Sequence, residues 1–192
     1  MADEKDKDRK GLKDYGIIYV AGGLDEETSA QVCREIIEMN VAGEAEHIQM
    51  VINSPGGSCT AGFAIIDIME WSRIPVYTTG LGIVASMGLL LLMTGEKGRR
   101  VITPRTALLS HRYFGVNWGS HSQLLAGRKE EDLMHERIVQ HYLRYTRVKS
   151  REELEQRLLR DVDAWLTPEE AVEFGIADIV ERMDRQRPGL GR

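Results

Sequence analysis

The stretch IQMVINSPGGSCTAGFAIIDIME, residues 48–70, contains a predicted strand, a turn and a helix. Apolar residues dominate its first six positions, which is typical of a strand buried in a sheet. The Pro-Gly-Gly sequence at 55–57 predicts a turn that ends this strand. Apolar side chains then recur at helical spacing, at Ala61, Ala64, Ile65, Ile68 and Met69. The stretch therefore predicts one strand-then-helix unit of an α/β fold.

The same order of elements occurs on both sides of this stretch. IIYV (17–20) predicts a buried strand, and residues 25–40 carry apolar side chains at helical spacing. Downstream, VYTT (76–79) predicts a third strand, Gly80 and Gly82 predict a turn, and an apolar helix follows. Strands and helices that alternate in this way predict a mainly parallel sheet with helices packed on it.

The second half of the chain predicts two short strands and a long helix. RVIT (100–103) and TALLS (106–110) are the strands. The charged region from His121 to Val148 predicts a helix about 40 Å long at 1.5 Å per residue, with two helices broken near Gly127 as the alternative. A 40 Å helix exceeds a small domain, so we expect part of it to pack against another subunit.

A short capped helix is predicted near the C-terminus. LTPEEAVEFG (166–175) contains a capping box, a proline at the first helical position and a glycine stop signal. The stretch before it, LLRDVDAW (158–165), is then expected to be a loop that presents Asp161 or Asp163.

Composition excludes several functional classes. The 192-residue chain suits one domain, and its formal net charge of −5 offers no broad basic surface for nucleic acid or anionic lipid. Its longest apolar run, around Leu89 to Met93, is far shorter than the roughly 20 residues of a membrane span. The first 13 residues carry nine charges and no apolar segment, so we expect a cytoplasmic protein. Cys33 and Cys59 fit no zinc or disulfide pattern, and we expect both to stay reduced.

Ser86 lies at the start of the apolar helix predicted after the third strand. Serine is a common N-cap residue, so a helix cap is one interpretation. A nucleophile is the other, because the unpaired N–H groups and the dipole of a helix start stabilise an oxyanion. The N–H groups of Gly57 and Met87 are candidates for that oxyanion hole, although Gly57 equally suits an ordinary tight turn. VASMG lacks the first glycine of the G-x-S-x-G elbow, which argues against an α/β-hydrolase.

A serine nucleophile needs a base, and His111 is the only histidine at the end of an apolar strand. His135 and His141 fall on the charged helix, where we expect them to be solvated. His135 begins no H-E-x-x-H zinc motif, because residue 139 is valine. The base needs an acid in turn, and the spacing alone allows either Asp161 or Asp163.

The chain contains four motifs that together resemble the proteolytic subunit family of the Clp protease (ClpP): INSPGGSCTAGFAIIDIME (52–70), GIVASMGLLLLMTGEKGRR (82–100), SH (110–111) and DAWLTPEEAVEFGIAD (163–178). The resemblance covers residues 12–181. It implies that Ser86 is the nucleophile and His111 the general base. It also implies that Asp163, in D-A-W-L-T, is the orienting acid rather than Asp161.

The resemblance further implies a fold and a mechanism. The fold is a crotonase/ClpP-like α/β spiral of mainly parallel strands flanked by helices, with a long protruding handle helix. We expect one peptidase domain over residues 12–183, a handle region at about 121–148, and flexible tails over 1–11 and 184–192. The mechanism is acyl transfer through an acyl-enzyme, with the N–H groups of Gly57 and Met87 receiving the oxyanion.

The implied function is ATP-dependent cleavage of unfolded polypeptides to short peptides. Heptameric rings stack face to face through the handle helix into a tetradecamer, and an AAA+ unfoldase such as a Clp ATPase feeds the enclosed chamber. The segment FGVNWGS (114–120) resembles the strand that pairs with the extended substrate backbone. We expect no cofactor, metal, nucleic acid or membrane partner.

Three departures from the family pattern favour a divergent paralogue. H-R-Y-F at 111–114 lacks the proline that follows the catalytic histidine, and the interval from His111 to Asp163 is slightly longer than the resemblance implies. The charged N-terminal segment also differs from the apolar axial loop that contacts the unfoldase. Docking of an unfoldase is therefore open, and a mixed ring with a second ClpP-like subunit is possible. A catalytically silent ring subunit or scaffold and a crotonase-type acyl-CoA enzyme are the alternatives, although the latter leaves Ser86, His111 and Asp163 without roles.

Overall fold

The structure is a computed structural model, and it describes residues 11–182. The predicted tails over 1–11 and 184–192 lie outside the described residues, apart from Gly11. Within 11–182, a 3-10 helix over Leu12–Tyr15 precedes strands at Ile17–Leu24 (β1), Ile48–Gly57 (β2), Val76–Ala85 (β3), Arg100–Ile102 (β4), Ala107–Ser110 (β5), Ala164–Leu166 (β6) and Ile179–Val180 (β7). Helices lie at Glu26–Ala42 (α1), Cys59–Trp71 (α2), Met87–Thr94 (α3), His121–Tyr145 (α4), Arg151–Arg157 (α5) and Pro168–Phe174 (α6).

The strands form one mostly parallel sheet. Its main order is β1-β2-β3-β4-β7, and β5 pairs with the far end of β3 and with β6. All pairs are parallel except β5 with β6, which is antiparallel. This arrangement confirms the predicted α/β class with helices packed on a mainly parallel sheet. It also brings the ends of β2, β3 and β5 close together at one edge of the structure.

Helix α3 lies in the core over all but its last residue. Every residue from Met87 to Met93 is buried, including the four leucines at 89–92. Each buried leucine stabilises the fold by about 2 kcal/mol. The start of α3, where Ser86 lies, is therefore held firmly against β2 and β3.

The predicted turns at the glycines of β2 and β3 are wrong. β2 continues through the Pro-Gly-Gly sequence to Gly57, and β3 continues through Gly80 and Gly82 to Ala85. Gly82 has φ +64° and forms a bulge where the pairing of the two strands shifts register. The Asn53 side-chain oxygen accepts a hydrogen bond from the N–H of Ile83, 3.1 Å away, and so replaces the ladder bond that the bulge removes.

Helix α4 is continuous, so the alternative of a break near Gly127 is wrong. It ends at Tyr145, three residues before the predicted end at Val148. Gly127 lies inside the helix beside the Asn117 side chain, which a Cβ at residue 127 would approach to 2.7 Å. The C-terminal half of α4 is buried at Met134, Ile138, Val139, His141 and Tyr142.

Two further expectations about the second half of the chain are corrected. Residues 164 and 165 of the predicted loop belong to β6, which pairs with β5, and helix α5 precedes that loop. His141 is buried rather than solvated, because its ring lies against α3, where its Nε2 is 3.2 Å from both the Leu90 carbonyl and the Thr94 hydroxyl.

Candidate active site

Ser86 lies at the junction between β3 and α3 in an unusual backbone conformation. Its φ and ψ are +54° and −124°, and among residues 11–182 it is the only non-glycine residue with positive φ. Backbone conformations of this kind cost about 1–3 kcal/mol and persist only where the surrounding structure enforces them. The Ser86 carbonyl accepts the N–H of Leu89 at 2.9 Å, but its side chain makes no capping hydrogen bond. The helix-cap interpretation of the Ser86 hydroxyl is therefore wrong.

Two neighbouring strands hold Ser86 in this conformation. The Ser86 N–H donates to the Leu109 carbonyl of β5 at 2.9 Å. On the other side, Gly56 of β2 has φ +93°, and a Cβ there would lie 2.7 Å from the Ser86 Cβ and 3.0 Å from the Met87 nitrogen. Only glycine permits so close an approach. The hydroxyl of Ser86 is thus presented by a rigid junction of three strands and a buried helix.

Four of the five predicted site residues line one cavity of about 210 Å³. They are Gly57, Ser86, Met87 and His111. The rest of its wall is mostly apolar and consists of Pro55, Cys59, Leu90, Arg112, Tyr113, Phe114, Ile138 and Tyr142. A small apolar cavity beside a hydroxyl and a histidine can accept one side chain of a bound substrate.

The backbone around the cavity offers hydrogen-bond donors. Met87 is the first residue of α3, so its N–H has no acceptor within the helix. Gly57 ends β2 and packs tightly on β1, since a Cβ there would lie 2.3 Å from the Leu24 carbonyl oxygen. Both residues line the same cavity as Ser86.

His111 follows β5 directly and lies between two cavities. Its Nδ1 is 2.5 Å from the carbonyl oxygen of Arg112. Asp163 lines the second cavity, of about 470 Å³, together with His111. Within residues 11–182, no hydrogen bond joins His111 to Ser86 or to Asp163. The structure brings the three side chains to adjoining cavities without connecting them into a hydrogen-bonded triad.

Arg112 distinguishes between the two candidate acids. Its Nε donates to the Leu159 carbonyl at 2.6 Å, and its Nη1 forms an ion pair with Asp161 at 2.9 Å. The Asp163 carboxylate forms no ion pair within the described residues. Asp161 is therefore paired with the arginine at the surface, whereas Asp163 is not. Sequence analysis missed Arg112, because nothing in the local pattern indicates what a distant loop contributes.

The described residues contain no cluster of His, Cys, Asp and Glu side chains that could hold a metal ion. No helix in the described part of the chain is both long and apolar enough to span a membrane.

Comparison with known proteins agrees with the motifs. A family model described as Clp protease matches residues 2–184. The ATP-dependent Clp protease proteolytic subunit 1 of Frankia casuarinae is 32% identical over 175 residues, which cover 91% of this chain and 81% of that protein. The ATP-dependent Clp protease proteolytic subunit of Deinococcus radiodurans is 32% identical over 180 residues, which cover 93% of this chain and 85% of that protein.

Proposed function

Because the chain belongs to the Clp protease family and is a Clp-type peptidase, we propose that it is a serine endopeptidase that cleaves unfolded polypeptides to short peptides. The observation that carries this proposal is the backbone of Ser86. A residue in a costly conformation, with a hydroxyl that caps nothing and faces a cavity, needs a reason outside folding. Nucleophilic attack on a substrate carbonyl supplies that reason.

The proposed reaction transfers an acyl group to Ser86. His111 removes the hydroxyl proton as Ser86 Oγ bonds to the carbonyl carbon of the substrate. The N–H groups of Gly57 and Met87 stabilise the negative charge on the carbonyl oxygen. His111 then gives the proton to the leaving amine, the C–N bond breaks, and water hydrolyses the acyl-enzyme by the same steps. Loss of one oxyanion donor typically lowers the rate about 10² to 10³-fold.

Asp163 is the proposed acid that orients His111. Its carboxylate is free of the ion pair that occupies Asp161, and it lines the same cavity as His111. For this role the His111 Nδ1 has to leave the Arg112 carbonyl and donate to Asp163. The proposed reaction therefore includes a rearrangement of the His111 ring.

The proposed assembly is a pair of stacked heptameric rings that encloses the active sites. Support comes from apolar side chains that stay exposed in the single chain around the start of α4: Phe114, Val116, Trp118, Leu124, Leu125 and Leu133. Removing such side chains from water favours association. Residues 111–118 form no strand within the chain, which leaves their backbone able to pair with extended substrate. An AAA+ unfoldase would feed the chamber, and a second ClpP-like subunit could complete the ring.

A catalytically silent ring subunit is the second candidate. The hydrogen bond between His111 and the Arg112 carbonyl favours it, because that bond occupies the nitrogen that the acid needs.

Degradation of an unfolded polypeptide such as casein separates the two candidates. The native assembly is expected to release short peptides, and Ser86→Ala is expected to lower the rate at least about 10³-fold while the mass of the assembly stays the same. An assembly that forms but releases no peptides supports the silent subunit. Activity that survives Ser86→Ala would refute the proposed mechanism.

A further inference from the structure

Two buried hydroxyl groups connect the strand before His111 to helix α4. Ser110, the last residue of β5, is fully buried, and its Oγ is 2.7 Å from the hydroxyl oxygen of Tyr142. Tyr142 is also buried, with 1% of its surface exposed. Polar groups in such a position need a partner, because an unpaired buried hydroxyl costs about 1–3 kcal/mol. Each of these hydroxyls supplies the partner that the other requires.

Three consecutive residues of the chain each make a different connection at this point. The Leu109 carbonyl accepts the N–H of Ser86, Ser110 bonds to Tyr142, and His111 lines the cavity. The end of β5, directly before His111, is therefore held by a hydrogen bond to the Ser86 backbone and by another to α4. The Tyr142 ring also forms part of the cavity wall.

We propose that Tyr142 is a positioning residue that, through Ser110, fixes the backbone of His111 beside the Ser86 cavity, the position from which the His111 ring reaches Ser86 for proton transfer. This inference rests on the proposed function. Catalytic groups have to be held within about 0.5 Å of their productive positions, and a displacement of 1 Å can cost about 100-fold in rate. The hydrogen bond between the two buried hydroxyls adds a side-chain restraint at the end of β5 to the backbone pairing of β5 with β3 and β6.

The same connection extends from the active site to the proposed assembly surface. Tyr142 lies in the buried half of α4, whereas Leu124 and Leu125 lie exposed in its first turns. The hydroxyl pair therefore links the end of β5 to the same helix that carries the exposed side chains. Burial raises the pKa of Tyr142 above its ordinary value, so the hydroxyl stays protonated at working pH.

Three variants of the native assembly test this role: Tyr142→Phe, Ser110→Ala and the double variant. Tyr142→Phe keeps the ring but leaves the Ser110 hydroxyl buried without its partner, so the variant is expected to unfold at a lower temperature. The double variant leaves no unpaired hydroxyl and is expected to recover most of that loss. For peptide cleavage, we expect kcat about 10-fold lower in all three variants with KM unchanged.

The decisive comparison is between stability and kcat in the double variant. If the hydroxyl pair positions His111, kcat stays low although stability recovers. If kcat recovers together with stability, or if Tyr142→Phe cleaves within twofold of the wild-type rate, the inference is wrong. Activity that persists in Ser86→Ala would instead refute the proposed function, so the two failures are distinguishable.

Tyr145→Phe is the matched control. Tyr145 lies one turn further along α4, and its hydroxyl donates to Glu70 at 2.5 Å, away from the cavity. Tyr145→Phe removes a tyrosine hydroxyl from the same helix as Tyr142→Phe does. We expect its kcat to equal that of the wild type; a loss equal to that of Tyr142→Phe would mean that any disturbance of α4 lowers activity, which would overturn the specific role of Tyr142.

Discussion

Replacing Ser86 by glycine is expected to make the protein more stable while abolishing its activity. Ser86 adopts φ +54° and ψ −124°, a conformation that costs a non-glycine residue about 1–3 kcal/mol. Glycine adopts positive φ without that cost, although its more flexible unfolded state reduces the gain by about 0.4–1 kcal/mol. The net expectation for Ser86→Gly is a gain of about 1 kcal/mol in the free energy of unfolding.

Ser86→Ala separates the effect of the backbone from that of the hydroxyl. Alanine keeps the strained backbone, and the Ser86 side chain makes no capping hydrogen bond that could be lost, so the change in stability is expected to be near zero. Ser150 provides the comparison, because its hydroxyl accepts the N–H of Glu153 at 3.2 Å at the start of α5. Ser150→Ala therefore loses a true cap and is expected to cost about 1 kcal/mol with activity retained.

Thermal unfolding at one fixed protein concentration measures all three variants. For a chain of this length, 1 kcal/mol corresponds to about 2–4 °C in Tm. Ser86→Gly is expected to unfold at a higher temperature than the wild type, Ser86→Ala at the same temperature, and Ser150→Ala at a lower one. If Ser86→Ala loses as much as Ser150→Ala, or if Ser86→Gly is destabilised, Ser86 is a helix cap and the argument from strain fails.

Three other perturbations test the contacts around the site. Gly56→Ala is expected to lower the free energy of unfolding by about 3 kcal/mol and to stop cleavage, because its Cβ would lie 2.7 Å from the Ser86 Cβ. Gly98→Ala is the control: Gly98 has a similar φ of +86° with open space around it, so the expected loss is about 1 kcal/mol. Equal losses of the two variants in urea unfolding would refute the close approach. Burial lowers the pKa of His141 to about 4 from its ordinary 6.5. As the pH falls below 6.5, the unfolded chain therefore binds a proton at His141 that the folded chain does not, and the free energy of unfolding is expected to fall by about 3 kcal/mol by pH 4. A His141→Gln variant that shows the same fall would contradict this. In a peptide-cleavage assay, Asp163→Ala is expected to lower kcat about 10⁴-fold and Asp161→Ala less than 10-fold. A larger loss of kcat in Asp161→Ala than in Asp163→Ala would make Asp161 the acid.

The fold was predictable from sequence where the signal is local. The apolar run at residues 48–53 and the helical stripe after it indicate a strand and a helix without reference to the rest of the chain. The continuation of β3 past Gly82 was not predictable, because glycine ends most strands and the bulge depends on Asn53 reaching the N–H of Ile83 on a neighbouring strand. Burial of His141 was missed for a similar reason, since a charged helix gives no sign of which of its faces meets α3.

The site residues, too, were predictable where the signal is local and not where it depends on contacts between distant parts of the chain. The motifs around Gly57, Ser86 and His111 predicted residues that line one cavity. The ion pair of Arg112 with Asp161 joins parts of the chain that are far apart in sequence, and no local pattern indicates it. Ser110 does carry a local signal, because it is the polar residue at the end of an otherwise apolar strand, and such a residue needs a buried partner.

Labelling with a fluorophosphonate, followed by mass mapping of the modified peptide, tests the central claim most directly. The claim is that Ser86 is a nucleophile activated by His111. The native assembly is expected to carry a single adduct on Ser86, and His111→Ala is expected to slow its formation at least about 10³-fold. An adduct on another residue, or an assembly that cleaves peptides without acquiring one, would contradict the account.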